Sequence, residues 1–257
     1  MTASRRLFLL HLVANALLLW LAYEWLGVGE STRLRLAWSG LDALAILALV
    51  CWFHGATLVY FRKDDELRIN EAFRMALRSV PALLAAAVCV LALYGVLAWA
   101  AGASSQPAFR LASWLTLKLR TPVKPATVAR VFLVGFWIVR WVVLPAALLP
   151  MASGIATRGW RGFGEFGWRG GWRYWLEVPL LLAAGLLLPL VVLGWVPGVG
   201  GFTLQVVSFS SRALVAYLLF VGAIWTLERL TAITATSRLR DRVATQSEPR
   251  PSGSGCQ

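Results

Sequence analysis

Val131-Phe-Leu-Val-Gly-Phe-Trp-Ile-Val-Arg140-Trp-Val-Val-Leu-Pro145-Ala-Ala-Leu-Leu-Pro150-Met151 decides the fold. The run is apolar throughout except for one arginine. As a helix rising ~1.5 Å per residue it crosses a bilayer core of about 30 Å. Without water, each backbone polar group must be paired inside the protein, and a helix pairs its own. Barrel strands would be shorter and would alternate apolar with polar residues.

Five similar runs flank this one. Hydropathy places six spans at about 7–26, 41–61, 80–101, 131–151, 175–196 and 213–230. The 257 residues are 59% hydrophobic and 14% charged, with a mean hydropathy of +0.68. A soluble domain carries nearer a quarter charged residues. The expected fold is all-α, a polytopic transmembrane helical bundle of about six spans occupying residues 1–243. Residues 244–257 are rich in Ser, Pro, Gly and charge and are expected to form a disordered tail. Trp20, Tyr23, Trp38, Tyr60, Trp99 and Trp195 lie near span ends, as an aromatic belt requires.

Arg5-Arg6 before the first span resembles a twin-arginine export signal. The apolar run to Leu26 is long, however, and no small-x-small cleavage site follows it, so a retained first helix is expected. The net charge is +13. The cations lie in loops beside apolar spans, which points to orientation and to anionic headgroups, and away from nucleic acid. Most of the 25 Lys and Arg fall on one side: Arg5, Arg6, Arg62 to Arg78, Arg158 to Arg173, and Arg229 onward. The expected placement is multi-pass in a bacterial inner membrane, with both termini cytoplasmic. The three cysteines show neither a pairing framework nor metal-ligand spacing.

Two loops on the basic side carry their own patterns. Residues 66–78 read as an amphipathic helix lying in the interface and turning up at Pro81 into the third span. Gly159-Trp160-Arg161-Gly162 recurs as Gly167-Trp168-Arg169-Gly170, followed by Gly171-Trp172-Arg173. Tryptophan with arginine suits a headgroup layer, so Arg158, Trp160, Arg161, Trp168, Arg169, Trp172 and Arg173 form a candidate anionic-lipid interface. Val80-Pro81-Ala82-Leu83-Leu84 aligns with Val178-Pro179-Leu180-Leu181-Leu182. The match suggests a parallel internal repeat, with residues 41–101 and 131–196 related about the membrane normal. Chance similarity between Leu/Ala-rich helices is the alternative.

Glu71-Ala72, Arg74, Ala76-Leu77-Arg78 and Pro81 form a pattern similar to one in bacterial six-helix membrane domains. The membrane region of some glycerophosphoryl diester phosphodiesterases is an example. The resemblance covers about a dozen residues and implies the helix count. It carries no catalytic residue over.

Within the spans, Arg140 needs a partner. By helical rise, His54 and Asn15 reach a similar depth. Glu24, Asp42, Glu177 and Glu228 read as lying near the surfaces. Arg140, His54 and Asn15 are therefore the candidate substrate or lipid contacts. The options are a structural hydrogen bond within the bundle, or an anion or phosphate at Arg140. His11 and His54 could pair as haem ligands between the first two helices, but no second pair exists and no cofactor is expected. No nucleophile elbow, metal motif or paired aspartates occur, and no enzyme is expected. Two function classes stand. One is a non-enzymatic component working through lipids, a protein partner or a second copy. The other is a small transporter or lipid-handling protein with an anion contact at Arg140.

Overall fold

The computed structural model describes residues 3–29, 31–63, 67–164, 171–198 and 200–247, with side chains among these from Arg5 to Ala232. Among the described residues all regular structure is helical. The elements are α1 (Ala3–Leu26), α2 (Arg33–Arg62), α3 (Ile69–Ala103), α4 (Ser105–Leu119), α5 (Pro125–Ile138), a π-helical turn Val139–Val143, α6 (Leu144–Arg158), a 3-10 turn Gly159–Gly164, α7 (Trp172–Gly194) and α8 (Phe202–Ser247). Six stretches are long and apolar enough to cross a membrane: Arg5–Leu26, Arg33–Arg62, Ile69–Ala103, Pro125–Gly164, Trp172–Gly194 and Phe202–Ala232. The chain is an integral membrane helical bundle.

The helices outrun the hydropathy windows because charged residues continue them. Thr32 starts α2 by accepting the Arg35 N–H on its Oγ1 at 3.2 Å. α8 runs to Ser247, four residues into the stretch expected to be a disordered tail; residues 248–257 lie outside the described residues. The expected interfacial helix is not separate. Residues 69–103 form one helix with Pro81 inside it. Its buried positions Ala72, Ala76, Ser79, Leu83 and Ala86 recur every three or four residues and line one face against α2. The helix continues past Pro81, a residue that can donate no N–H, within this packed stretch. The basic loop after α3 also folds, as α4, with Ala108 and Ala112 against Val128 of α5.

The halves aligned by the repeat pack differently. α2 lies along α3, whereas α7 lies chiefly along α8 and meets α6 where the Tyr174 hydroxyl donates to the Ala146 carbonyl at 2.6 Å. The α7–α8 approach is set by Gly185, where a Cβ would fall 2.6 Å from the Ala223 methyl. Both carbons hang directly from backbone, so neither can rotate aside. Gly185→Ala is expected to push the helices apart at a cost of about 1–3 kcal/mol. Gly95→Ala, which would meet nothing within 4 Å, is the control. Thermal unfolding in detergent should separate the two variants, and equal midpoints would refute the close approach.

The core sits toward one end. Burial on α3 is confined to Ala72 through Ala86 and on α7 to Tyr174 and Val178, while Ala108, Ala112 and Val128 form a small separate cluster at the other end. The main cluster joins Leu7, Leu58 to Phe61, Leu83, Ile155 and Ala232. All of these lie in the half of the bundle whose loops carry Arg5, Arg62 and Arg158. At the far end the apolar side chains of Trp20, Trp38, Leu91, Trp99, Leu133 and Val191 face outward.

Candidate functional site

α1 presents one buried stripe to the bundle, Leu7, His11 and Asn15, spaced four apart. α2 brings in Phe53 and His54, and α8 brings in Trp225 and Glu228. His11 and His54 each lie eight residues, ~12 Å, from the basic ends of their helices. Three helices thereby deliver two imidazoles and a carboxylate to one place, with candidate ligand atoms all within 4.8 Å of one another.

Glu228 bridges the two rings. Its Oε1 accepts from His54 Nδ1 at 2.6 Å, a short charge-assisted contact. Its Oε2 lies 3.3 Å from His11 Nε2, and neither of those two atoms makes a hydrogen bond among the described residues. On the far side of His11, the Asn15 amide donates to the His11 carbonyl at 2.9 Å and reaches His11 Nδ1 at 3.5 Å. Rings enclose the cluster. His11 meets Trp225 edge-on at 5.2 Å and Phe53 at 4.8 Å, and Trp225 meets Phe61 at 4.9 Å and Phe8 at 5.5 Å. His11 is 0% exposed and Glu228 4%, while the His54 side chain keeps 21% and gives the cluster its one open flank. The Tyr217 hydroxyl, donating to the Leu12 carbonyl, fastens α8 to α1 nearby. A charge this deep is tolerated only when paired, and here it is paired from two sides.

Arg140 lies apart from this cluster. Its guanidinium stands over the Tyr94 ring at 5.4 Å and the Trp141 ring at 5.0 Å, and those rings are 5.6 Å apart. It therefore faces α3 inside the bundle. Its contacts are with an aromatic pair and not with His54 or Asn15. Its Nε is buried without a hydrogen-bond partner among the described residues. The residue rides on the π-helical turn, in which the Leu144 N–H reaches back five residues to the Val139 carbonyl. Pro145 follows directly and donates nothing to Trp141, which explains why the ladder slips at this point. Of the sequence candidates, then, His54 and Asn15 fall in one cluster and Arg140 in another place.

In the basic loop, Trp160 stacks on Phe163 with centroids 5.8 Å apart, and Arg173 stands 5.9 Å over Trp172. Trp160 and Trp172 are exposed, as an interfacial anchor requires. Arg158 ends α6, and Arg161 lies in the 3-10 turn. Trp168 and Arg169 lie outside the described residues.

Glu228 is the residue the sequence reading misplaced. Glu228 falls near the end of the expected span 213–230 and reads as a surface residue, but α8 runs on past it to Ser247. Val221, Trp225, Glu228 and Ala232 then fall on one face at the spacing of a packed helix. That spacing was the available signal.

No protein-family model, curated protein or solved structure matches this chain.

Proposed function

We propose that the chain is a non-enzymatic membrane component that acts by contact, with lipids or with a partner protein. The observation that carries this is the lopsided packing. One half of the bundle is gripped by the main core, while in the other half α3, α5 and α7 turn their large apolar side chains outward. Small residues on α3 and α7 and the exposed tryptophans suit helix–helix or lipid contact. In this reading the basic end is cytoplasmic, both termini lie there, and the membrane is a bacterial inner membrane. Arg158, Trp160, Arg161, Trp168, Arg169, Trp172 and Arg173 would then meet anionic headgroups. The resemblance to six-helix membrane domains belongs to the same proposal.

A second reading rests on Arg140. An arginine within a span, held by two aromatic faces with a free Nε, could take an anionic lipid or solute, as a small transporter or lipid-handling protein would. Native mass spectrometry after gentle extraction distinguishes the readings when wild type and Arg140→Gln are compared. A stoichiometric protein partner, or lipid retained by both forms, is the expected result. Anionic lipid or solute bound by wild type and lost in the variant would favour the second reading. A bare chain in both experiments would remove the two together.

A further inference from the structure

The chain has two histidines, and both stand beside the same buried carboxylate. We infer that His11, His54 and Glu228 form a binding site for one divalent first-row transition-metal ion of the zinc class. The inference does not depend on the lipid or partner reading above.

Three observations carry it. The first is the donor set. Two imidazoles and one carboxylate suit Zn²⁺, Fe²⁺, Co²⁺ or Mn²⁺, whereas Ca²⁺ and Mg²⁺ take oxygen shells. The second is the spacing. Ligand atoms ~2.0–2.1 Å from a tetrahedral ion stand about 3.3–3.4 Å from each other. His11 Nε2 and Glu228 Oε2 are 3.3 Å apart. The third is that these same two atoms are buried and meet no polar group among the described residues other than each other, so their ion contact leaves both with bonding capacity to spare. A 3.3 Å separation is the edge that two ligands of one tetrahedral ion would span.

His54 completes the set from α2. Its 2.6 Å contact with Oε1 is a hydrogen bond that must open by about 0.7 Å, and the ligand atoms, now spread over as much as 4.8 Å, must draw in by more than about 1 Å at their widest once the proton is replaced by an ion. Ligation through Nε2 puts the His11 proton on Nδ1, so the Asn15 amide, whose nitrogen faces Nδ1 at 3.5 Å, must turn over for its Oδ1 to accept that proton and become the outer partner of the ring. Three protein ligands leave a fourth position for water. Cys51 packs against the neighbouring core but lies outside the triad, so a thiolate is not part of the proposal.

The test uses the full chain in detergent, purified without a histidine tag and stripped with a chelator. Co²⁺ is titrated in, its visible d–d absorption is followed, and Zn²⁺ is then added. One Co²⁺ per chain, bound at ~1 µM or tighter and displaced by Zn²⁺, is expected. Glu228→Gln, His11→Asn and His54→Asn should each weaken binding by about 10–100-fold or more, while Cys51→Ser and Arg140→Gln leave it unchanged. Wild type alone can overturn the proposal: no saturable uptake of Co²⁺ or Zn²⁺ would make the cluster a hydrogen-bonded strut. Uptake that survives in folded His11→Asn and His54→Asn, checked by size exclusion, would overturn it as well.

Discussion

Glu228→Ala lowers the thermal unfolding midpoint of the detergent-solubilised protein by about 10 °C, measured in chelator so that no ion contributes. The argument is one of stranded groups. Glu228 accepts the short His54 contact and faces His11 across 3.3 Å, and both imidazoles otherwise meet mainly rings and helix backbone. Removing one partner of a buried charged cluster costs about 3–5 kcal/mol, because the others stay desolvated with nothing to bond. It also leaves a cavity among Phe53, Trp225 and His11.

Glu228→Gln should fall between Ala and wild type. The glutamine oxygen can still accept from His54 Nδ1–H. Its amide N–H₂ then faces His11 Nε2, which must become the acceptor, so the His11 proton moves to Nδ1. That proton would oppose the Asn15 amide at 3.5 Å. One bond is kept and another is set in conflict. A double-mutant cycle of Glu228→Ala with His54→Ala should show strong coupling, since the second change costs little after the first. Wild-type melting of Glu228→Ala would mean that the carboxylate does not hold the three helices together.

The bundle could be read from sequence because lipid makes one demand along its whole depth, and six runs such as 131–151 satisfy it visibly. The joints between helices could not, for two physical reasons. A residue's depth depends on where its helix starts and stops, and helix ends are set by caps and packing as well as by hydropathy. α2 begins at Thr32 and α8 passes through Glu228-Arg229, so His54 and Glu228 meet at one level although hydropathy boundaries place them at different ones. Then, an apolar face does not say what covers it. Ala72, Phe73 and Ala76 suit a headgroup layer by pattern, but Ala72 and Ala76 are buried in the bundle and the Phe73 carbonyl takes the Trp52 indole N–H. Arg140 stood out by its depth. Tyr94 as its neighbour required the register of α3, which the apparent break at Pro81 concealed.

The three glycines of the turn after α6 are expected to respond in three different ways, because each serves a different need. Gly162 is pressed against main-chain atoms of Gly154 and Ile155, and a Cβ there would overlap that backbone. Backbone cannot swing aside as a side chain can. Ile155 is fully buried among α2 and α3, so any shift of α6 is passed into the main core. Gly162→Ala should therefore cost about 3 kcal/mol or more and lower the melting midpoint by close to 10 °C. Gly159 ends α6 with φ 59° and ψ −136° and has nothing within 4 Å of a Cβ. Its requirement is conformational, and Gly159→Ala should cost about 1–3 kcal/mol. Gly164 has open space and no positive φ, so Gly164→Ala should melt with wild type. If Gly162→Ala also melted with wild type, the turn would not be docked on α6. Trp160 and Arg161 would then be free of the bundle instead of held by it at the basic end. The order Gly162, Gly159, Gly164 thus tests whether this loop is part of the packed core or only a tether between two spans.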